Sequence, residues 1–97
     1  MSYNLLAEGS LDYEELAILT ARYPALELFP VPAETEDDRD AMGIALPSSR
    51  ANEDGAAEMQ QLIRELWRTK LQIFDLYVGS AIETEDDLRT LVDRLVG

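Results

Sequence analysis

The sequence predicts an α+β fold, a two-layer sandwich in which a small, mostly antiparallel sheet carries helices on one face. Two observations support this class. Short apolar runs with strand character alternate along the chain with segments whose apolar residues recur at helical spacing. The length of 97 residues suits one domain over residues 1–97, since a single core needs at least about 50 residues.

A strand and a helix open the predicted fold. Residues 3–6 form a short apolar run that is typical of a strand. A helix is expected over about residues 12–23, because Asp12 and Glu15 have the spacing of a capping box and Pro24 prevents continuation of the helix.

Two further strands are predicted before the middle of the chain. Residues 25–31 alternate in hydropathy, and Pro30 limits this strand to an edge or an end of the sheet. Residues 42–46 also alternate in hydropathy and are predicted to form the next strand. Between them, the charge run over residues 34–40 is interpreted as an exposed hairpin loop, with a short helix capped by Thr35 as the alternative.

The second half of the chain predicts a helix, a strand and a helix. Apolar residues from Met59 to Trp67 recur at helical spacing, and residues 71–78 have the composition of a central or near-central strand. Thr84 and Asp87 begin the last helix. The order of these elements favours a ferredoxin-like pairing with an extra C-terminal helix.

Charge is the part of the composition that bears most on function. Twenty Asp and Glu residues face eight Lys and Arg residues, which gives a formal net charge of -12. Such a surface repels nucleic acid and anionic membranes and attracts basic surfaces, although acidity also serves solubility alone. We therefore expect a basic protein partner, no direct nucleic acid and no membrane. The start of the chain lacks the pattern of a signal peptide, so a cytoplasmic location is expected.

The sequence offers little catalytic chemistry. It contains no histidine and no cysteine, which leaves neither imidazole nor thiolate for acid–base catalysis, nucleophilic catalysis or metal binding. Its five glycines are scattered singly, so no phosphate-binding loop is formed, and Lys70 is interpreted as a solvated charge. We expect no enzyme, no cofactor, no metal site and no catalytic residue.

Two segments of the chain begin with the same five residues, Glu-Thr-Glu-Asp-Asp. If both lie on one side of the fold, their carboxylates form an anionic patch that docks into a basic cleft. The alternative is that both segments are capped helix starts or turns, where carboxylates favour the helix dipole. The predicted partner-binding residues are Glu34, Glu36, Asp37, Asp38, Asp40, Glu83, Glu85, Asp86 and Asp87.

The aromatic residues supply a second candidate surface. Most of them fall on predicted apolar faces and are expected in the core. An aromatic residue left exposed beside acidic residues would anchor an interface, and Tyr3 is the favoured candidate because it lies next to a terminus. The residues expected in the core are Trp67, Phe74, Tyr77, Tyr13, Tyr23 and Phe29.

Several features of the chain, taken together, point to a class of proteins. They are its small size, its acidity, the opening Met1-Ser2-Tyr3 and the late strand over residues 72–77 with its turn. In these features the chain resembles small bacterial immunity proteins, which neutralise interbacterial toxins. The resemblance implies a non-enzymatic inhibitor of a toxin, often a nuclease or another effector with a basic active site. Phage inhibitors that mimic DNA are one alternative, and an adaptor domain acting through homo-oligomerisation, such as a homodimer, is another.

Overall fold

The computed structural model describes residues 2–9, 12–32 and 41–96. No helix in these ranges combines the length and the apolar content needed to cross a membrane. The elements are β1 (Ser2–Glu8), α1 (Tyr13–Arg22), β2 (Glu27–Val31), β3 (Ala41–Pro47), a 3-10 turn (Ser48–Arg50), α2 (Glu53–Arg68), β4 (Gln72–Asp75), β5 (Ser80–Ile82) and α3 (Glu85–Val96).

The strands form one antiparallel sheet in the order β2-β3-β1-β4-β5. The first four strands have the pairing of a ferredoxin-like unit, because β1 lies between β3 and β4 while β2 occupies an edge. Helix α3 follows as the extra C-terminal helix. The predicted α+β sandwich is confirmed, and β5 extends the sheet by a strand that the sequence did not suggest.

The strand predicted over residues 71–78 is wrong in its second half. Strand β4 ends at Asp75, and β5 returns beside it with Ala81 opposite Phe74. Gly79 has a φ of 72°, a left-handed conformation that glycine adopts without strain, and its backbone N–H donates to the Asp75 carbonyl at 2.8 Å. Residues 76–78 have strand-like side chains, but they form the turn of a hairpin.

The helices cover one face of the sheet. On that face Leu5, Ile44 and Ile73 are at most 1% exposed; Leu5 lies opposite Ile44, and Ile73 lies opposite the buried Ala7. Leu62 of α2 and Leu88 of α3 pack in the same apolar cluster, to which α1 also contributes. One continuous core therefore joins the sheet to the three described helices, and none of these helices lies on the opposite face of the sheet.

Side chains cap the first two helices. The Asp12 carboxylate accepts a hydrogen bond from the backbone N–H of Glu15 at 2.8 Å, which is the N-cap half of the predicted capping box. The Asn52 side chain accepts from the backbone N–H of Gly55 at 3.0 Å and begins α2. Gly55 is needed there, because a Cβ at this position would lie 1.9 Å from the Arg50 carbonyl oxygen.

The C-terminus of α2 ends in a Schellman motif. The N–H of Lys70 donates to the Trp67 carbonyl and the N–H of Leu71 to the Leu66 carbonyl, both at 3.1 Å. Lys70 has a φ of 64°, which is a left-handed conformation usually held by glycine. The exposed lysine therefore carries backbone strain.

Replacing this lysine with glycine is expected to stabilise the protein. Lys70→Gly removes the strain at the left-handed position and should raise the free energy of unfolding by about 1 kcal/mol. Urea denaturation of both proteins measures the difference. Arg68→Gly, two residues earlier and inside the helix, is the matched control and should destabilise, and a Lys70→Gly protein less stable than wild type would contradict the argument.

Both edges of the sheet are obstructed against a further strand. Edge strand β2 contains Pro30, which has no N–H to donate, so the predicted edge position of this strand is confirmed. Edge strand β5 has three residues, and its Ile82 carbonyl accepts the indole N–H of Trp67 at 3.1 Å. Short edge strands with proline or occupied backbone groups oppose edge-to-edge pairing.

Candidate binding surface

The first Glu-Thr-Glu-Asp-Asp segment lies outside the described residues. Its predicted site residues are Glu34, Glu36, Asp37, Asp38 and Asp40. The common anionic patch of the two segments therefore stays a prediction.

The second Glu-Thr-Glu-Asp-Asp segment forms the N-terminus of α3. The Thr84 hydroxyl accepts from the backbone N–H of Asp87 at 3.1 Å. In return, the Asp87 carboxylate accepts from the backbone N–H groups of Thr84, at 3.1 Å, and Glu83, at 3.0 Å. This reciprocal capping box uses the Asp87 side chain to satisfy the helix end.

The capping box predicts a pH-dependent contribution to stability. Hydrogen bonds from the backbone N–H groups of Glu83 and Thr84 lower the pKa of Asp87 below its ordinary value of 3.8. A carboxylate with a lowered pKa stabilises the fold above its unfolded-state pKa and loses that effect as the pH falls through its folded-state pKa. We expect Asp87→Asn to be less stable than wild type at neutral pH, with a difference that shrinks below about pH 4.

Urea denaturation between neutral and acidic pH measures this difference. Asp86→Asn, one residue earlier in the same helix turn, is the matched control for the loss of one charge at the helix end. A deficit of Asp87→Asn that is independent of pH would show that the charge of its carboxylate does not stabilise the cap.

The other acidic residues of this segment differ in whether their carboxylates are already paired with an arginine. Glu85 accepts two hydrogen bonds from Arg64 of α2, at 3.1 and 2.9 Å, and these bonds lower the pKa of its carboxyl group. Asp86 lies 3.9 Å from Arg89, and both side chains are exposed. Glu83 is also exposed. The carboxylates of Glu83 and Asp86 are therefore the ones in this segment that are most available to a partner.

The β4–β5 turn, residues 76–79, presents large apolar side chains to solvent. Leu76 is 56% exposed, Tyr77 78% and Val78 44%. These three consecutive side chains form an exposed apolar patch on an acidic protein. The sequence pattern did not indicate this patch, because residues 71–78 have the composition of a strand.

A buried aspartate fixes the shape of the β4–β5 turn. Asp75 is fully buried, and one carboxylate oxygen accepts the backbone N–H groups of Tyr77, at 2.8 Å, and Val78, at 3.3 Å. The other oxygen accepts the Tyr3 hydroxyl at 2.5 Å and the Arg94 guanidinium at 2.9 Å. Residues of β1, β4 and α3 thus meet at one carboxylate, and every buried polar atom of the described side chains has a partner.

Tyr3 and Tyr77 pack against each other beside this carboxylate. Their ring centroids are 5.7 Å apart at an interplanar angle of 35°. Tyr3 is half-buried, and burial together with its hydrogen bond to Asp75 raises the pKa of its hydroxyl. Among the aromatic side chains whose burial is described, Tyr77 is the most exposed at 78%, and the expectation that Tyr3 would be the exposed anchor is wrong.

The core position predicted for Tyr13 lies outside the described side chains, and the remaining aromatic residues divide between core and surface. Tyr23 is buried, while Trp67 and Phe74 are half-buried. Phe29 is 45% exposed on the helix-free face, so its predicted core position is wrong, as is that of Tyr77. Both residues add to the apolar surface that is exposed to solvent.

The described residues contain no group of three carboxylates placed to hold a metal ion. What they do contain is an exposed apolar turn whose backbone is hydrogen-bonded to the buried Asp75, with exposed carboxylates elsewhere on the surface. Comparisons of this chain with protein-family models, with curated proteins and with solved structures found no match.

Proposed function

We propose that this protein is a non-enzymatic binding protein, an inhibitor of the immunity type, that docks onto a basic protein partner. The single observation that carries this proposal is the β4–β5 turn, which holds Leu76, Tyr77 and Val78 out into solvent on an acidic protein. The turn supplies apolar contact area, and the negative net charge of the protein favours a positively charged partner.

The charge of the protein supports a basic partner. A formal net charge of -12 on 97 residues creates a field that attracts positively charged surfaces over several ångströms and accelerates association. The same field opposes self-association, since two copies repel each other. Both sheet edges are obstructed as well, and these two facts together favour a basic partner over the alternative of a homo-oligomer.

The β4–β5 turn offers a short-range contact that would add to the long-range attraction between charges. Binding energy concentrates in a few aromatic and arginine residues near the centre of an interface, and Tyr77 lies against Tyr3 beside Arg94. The hydrogen bonds of Asp75 hold the turn in one conformation before binding. A preorganised turn loses less conformational entropy when a partner binds, which raises affinity.

The test of the proposal is affinity capture of partners at low and high salt. The charge variant retains Glu85 and Asp87, since their carboxylates serve the fold, and neutralises other predicted site residues. It carries Asp37→Asn, Asp38→Asn, Glu83→Gln and Asp86→Asn. The control variant has the same net charge but keeps the predicted site, and carries Glu14→Gln, Glu53→Gln, Asp54→Asn and Asp93→Asn.

We expect wild type and the control variant to capture the same basic protein at low salt, and the charge variant to lose it. High salt should also release the partner, because screening weakens attraction between exposed charges. A partner that is not basic, or one held equally by both variants and at both salt concentrations, would refute docking through these carboxylates.

A further inference from the structure

An apolar row crosses the helix-free face of the sheet. Register pairs place one residue of each strand in line, with Phe29 opposite Gly43, Gly43 opposite Leu6, Leu6 opposite Phe74, and Phe74 opposite Ala81. The Phe29 ring lies over Gly43, where a Cβ would come within 2.2 Å of it. The apolar row is therefore a packed surface that spans the whole sheet, and no helix of residues 2–9, 12–32 or 41–96 lies above it.

Polar residues border the apolar row. Asn4 and Glu8 lie on either side of it in β1, Glu27 borders it in β2, and Gln72 borders it in β4. The described strands contain no Lys or Arg. The face thus presents an apolar stripe with one glutamate on each side, Glu27 beside Ala45 and Glu8 beside Ala41.

The apolar row continues into a depression at the β5 edge. This depression has a volume of about 270 Å³ and is lined in part by Trp67, Phe74, Ala81 and Glu83. Glu83 is one of the exposed carboxylates predicted to bind a partner. Negative charge therefore lies at this end of the stripe as well as along its sides.

The shape of this face suits a helix better than an extended peptide. Strand addition needs a free sheet edge, and Pro30 in β2 and the Trp67 bond to Ile82 obstruct both edges. Four strand spacings of about 4.8 Å make the row about 19 Å long. A helix rising 1.5 Å per residue covers that length with about 13 residues.

We infer that the apolar row binds an amphipathic helix of a basic partner, whose apolar stripe lies along the row and whose flanking Lys or Arg residues face Glu8, Glu27 and Glu83. The inference rests on the proposed function and adds the chemistry of the partner. A second copy of the chain is a poor occupant, because stacking two such faces would bring their acidic borders together without a cation between them.

The experiment is a titration of the isotopically labelled protein with a synthetic peptide of about 18 residues, long enough to be helical alone. The peptide contains only leucine and lysine, with leucine at helical spacing so that one face is apolar. Backbone amide shifts report where it binds. We expect the largest shifts at Leu6, Phe29, Phe74 and Ala81, and much smaller ones with a scrambled peptide of the same composition.

Two pairs of variants separate the apolar row from bulk charge. Phe29→Lys should weaken peptide binding at least about tenfold, whereas Ile18→Lys, an equal charge change at an exposed residue of α1, should change it less than about twofold. The double variant Glu8→Gln with Glu27→Gln should weaken binding more than Glu14→Gln with Glu53→Gln. The amide spectrum of each variant verifies that it is folded.

Three results would overturn the inference: shifts centred on the helices, equal shifts with the scrambled peptide, or shifts of the apolar row on concentrating the protein alone, which would indicate a second copy. The proposed function fails differently. Peptide binding to the apolar row without any basic partner from cells would refute the function and support the inference. A captured basic partner that binds Phe29→Lys as tightly as wild type would support the proposed function and refute the inference about the apolar row.

Discussion

Replacing Asp75 with alanine is expected to lower the free energy of unfolding by about 3 kcal/mol. The Asp75 carboxylate is fully buried and accepts hydrogen bonds from Tyr3, Arg94 and two backbone N–H groups of the turn. Alanine removes the acceptor for all of them at once. The buried donors then have neither Asp75 nor water as a hydrogen-bond acceptor. An unpaired buried donor lowers stability by its full desolvation penalty, which exceeds the net contribution of an ordinary hydrogen bond.

Urea denaturation of Asp75→Ala and wild type measures this loss. Tyr3→Phe, which deletes one donor and keeps the ring, is the matched control and should cost about 1 kcal/mol. Hydrogen exchange supplies a second observable, since the amides of Tyr77 and Gly79 should exchange faster in Asp75→Ala at temperatures where the rest of the protein is folded. A loss below that of Tyr3→Phe would mean that Asp75 does not hold the turn.

Replacing Leu91 with alanine is expected to lower the free energy of unfolding by about 3 kcal/mol. Leu91 lies in α3, is fully buried and belongs to the core cluster that joins the helices to the sheet. The substitution removes apolar contacts and leaves a cavity between elements that cannot fully close. The predicted cost follows from α3 being part of the core, although it lies outside the ferredoxin-like unit.

Val96→Ala is the matched control for the second substitution. Val96 is in the same helix but is 47% exposed, so its truncation should change stability by about 0.5 kcal/mol or less. Chemical denaturation of the two variants gives the comparison. If Leu91→Ala lowers the free energy of unfolding as little as Val96→Ala, the packing of α3 against the core does not stabilise the fold.

Local signals in the sequence predicted much of the fold. The spacing of Asp12 and Glu15, and that of Thr84 and Asp87, located two helix starts, because capping depends on neighbours three residues apart. Pro30 located an edge strand because it lacks a donor. These predictions succeeded where the physical cause lies within a few residues of the chain.

The β4–β5 turn was missed because its residues resemble those of a strand. Leu76, Tyr77 and Val78 have side chains that sheets favour, and the decisive signal was an aspartate in an apolar run with a glycine four residues later. Asp75 accepts from the backbone N–H groups that follow it, and Gly79 allows the left-handed conformation that closes the hairpin.

The candidate binding surface was less predictable than the fold. Tyr3, Asp75 and Arg94 come from three elements that are far apart in sequence, so only the strand order brings them together. The partner of Glu85 is Arg64, on another helix. Composition predicted the sign of the surface charge, but the division between carboxylates that serve the fold and those that face solvent required tertiary structure.

In the proposed function, the apolar β4–β5 turn of this acidic protein anchors a basic partner. The most direct test is the dissociation constant of the captured partner for wild type, Tyr77→Ser and Ile18→Ser, which truncate exposed apolar side chains at two distant surfaces. We expect Tyr77→Ser to weaken binding about tenfold or more and Ile18→Ser to leave it within about twofold. Equal affinities of the three proteins would contradict the claim.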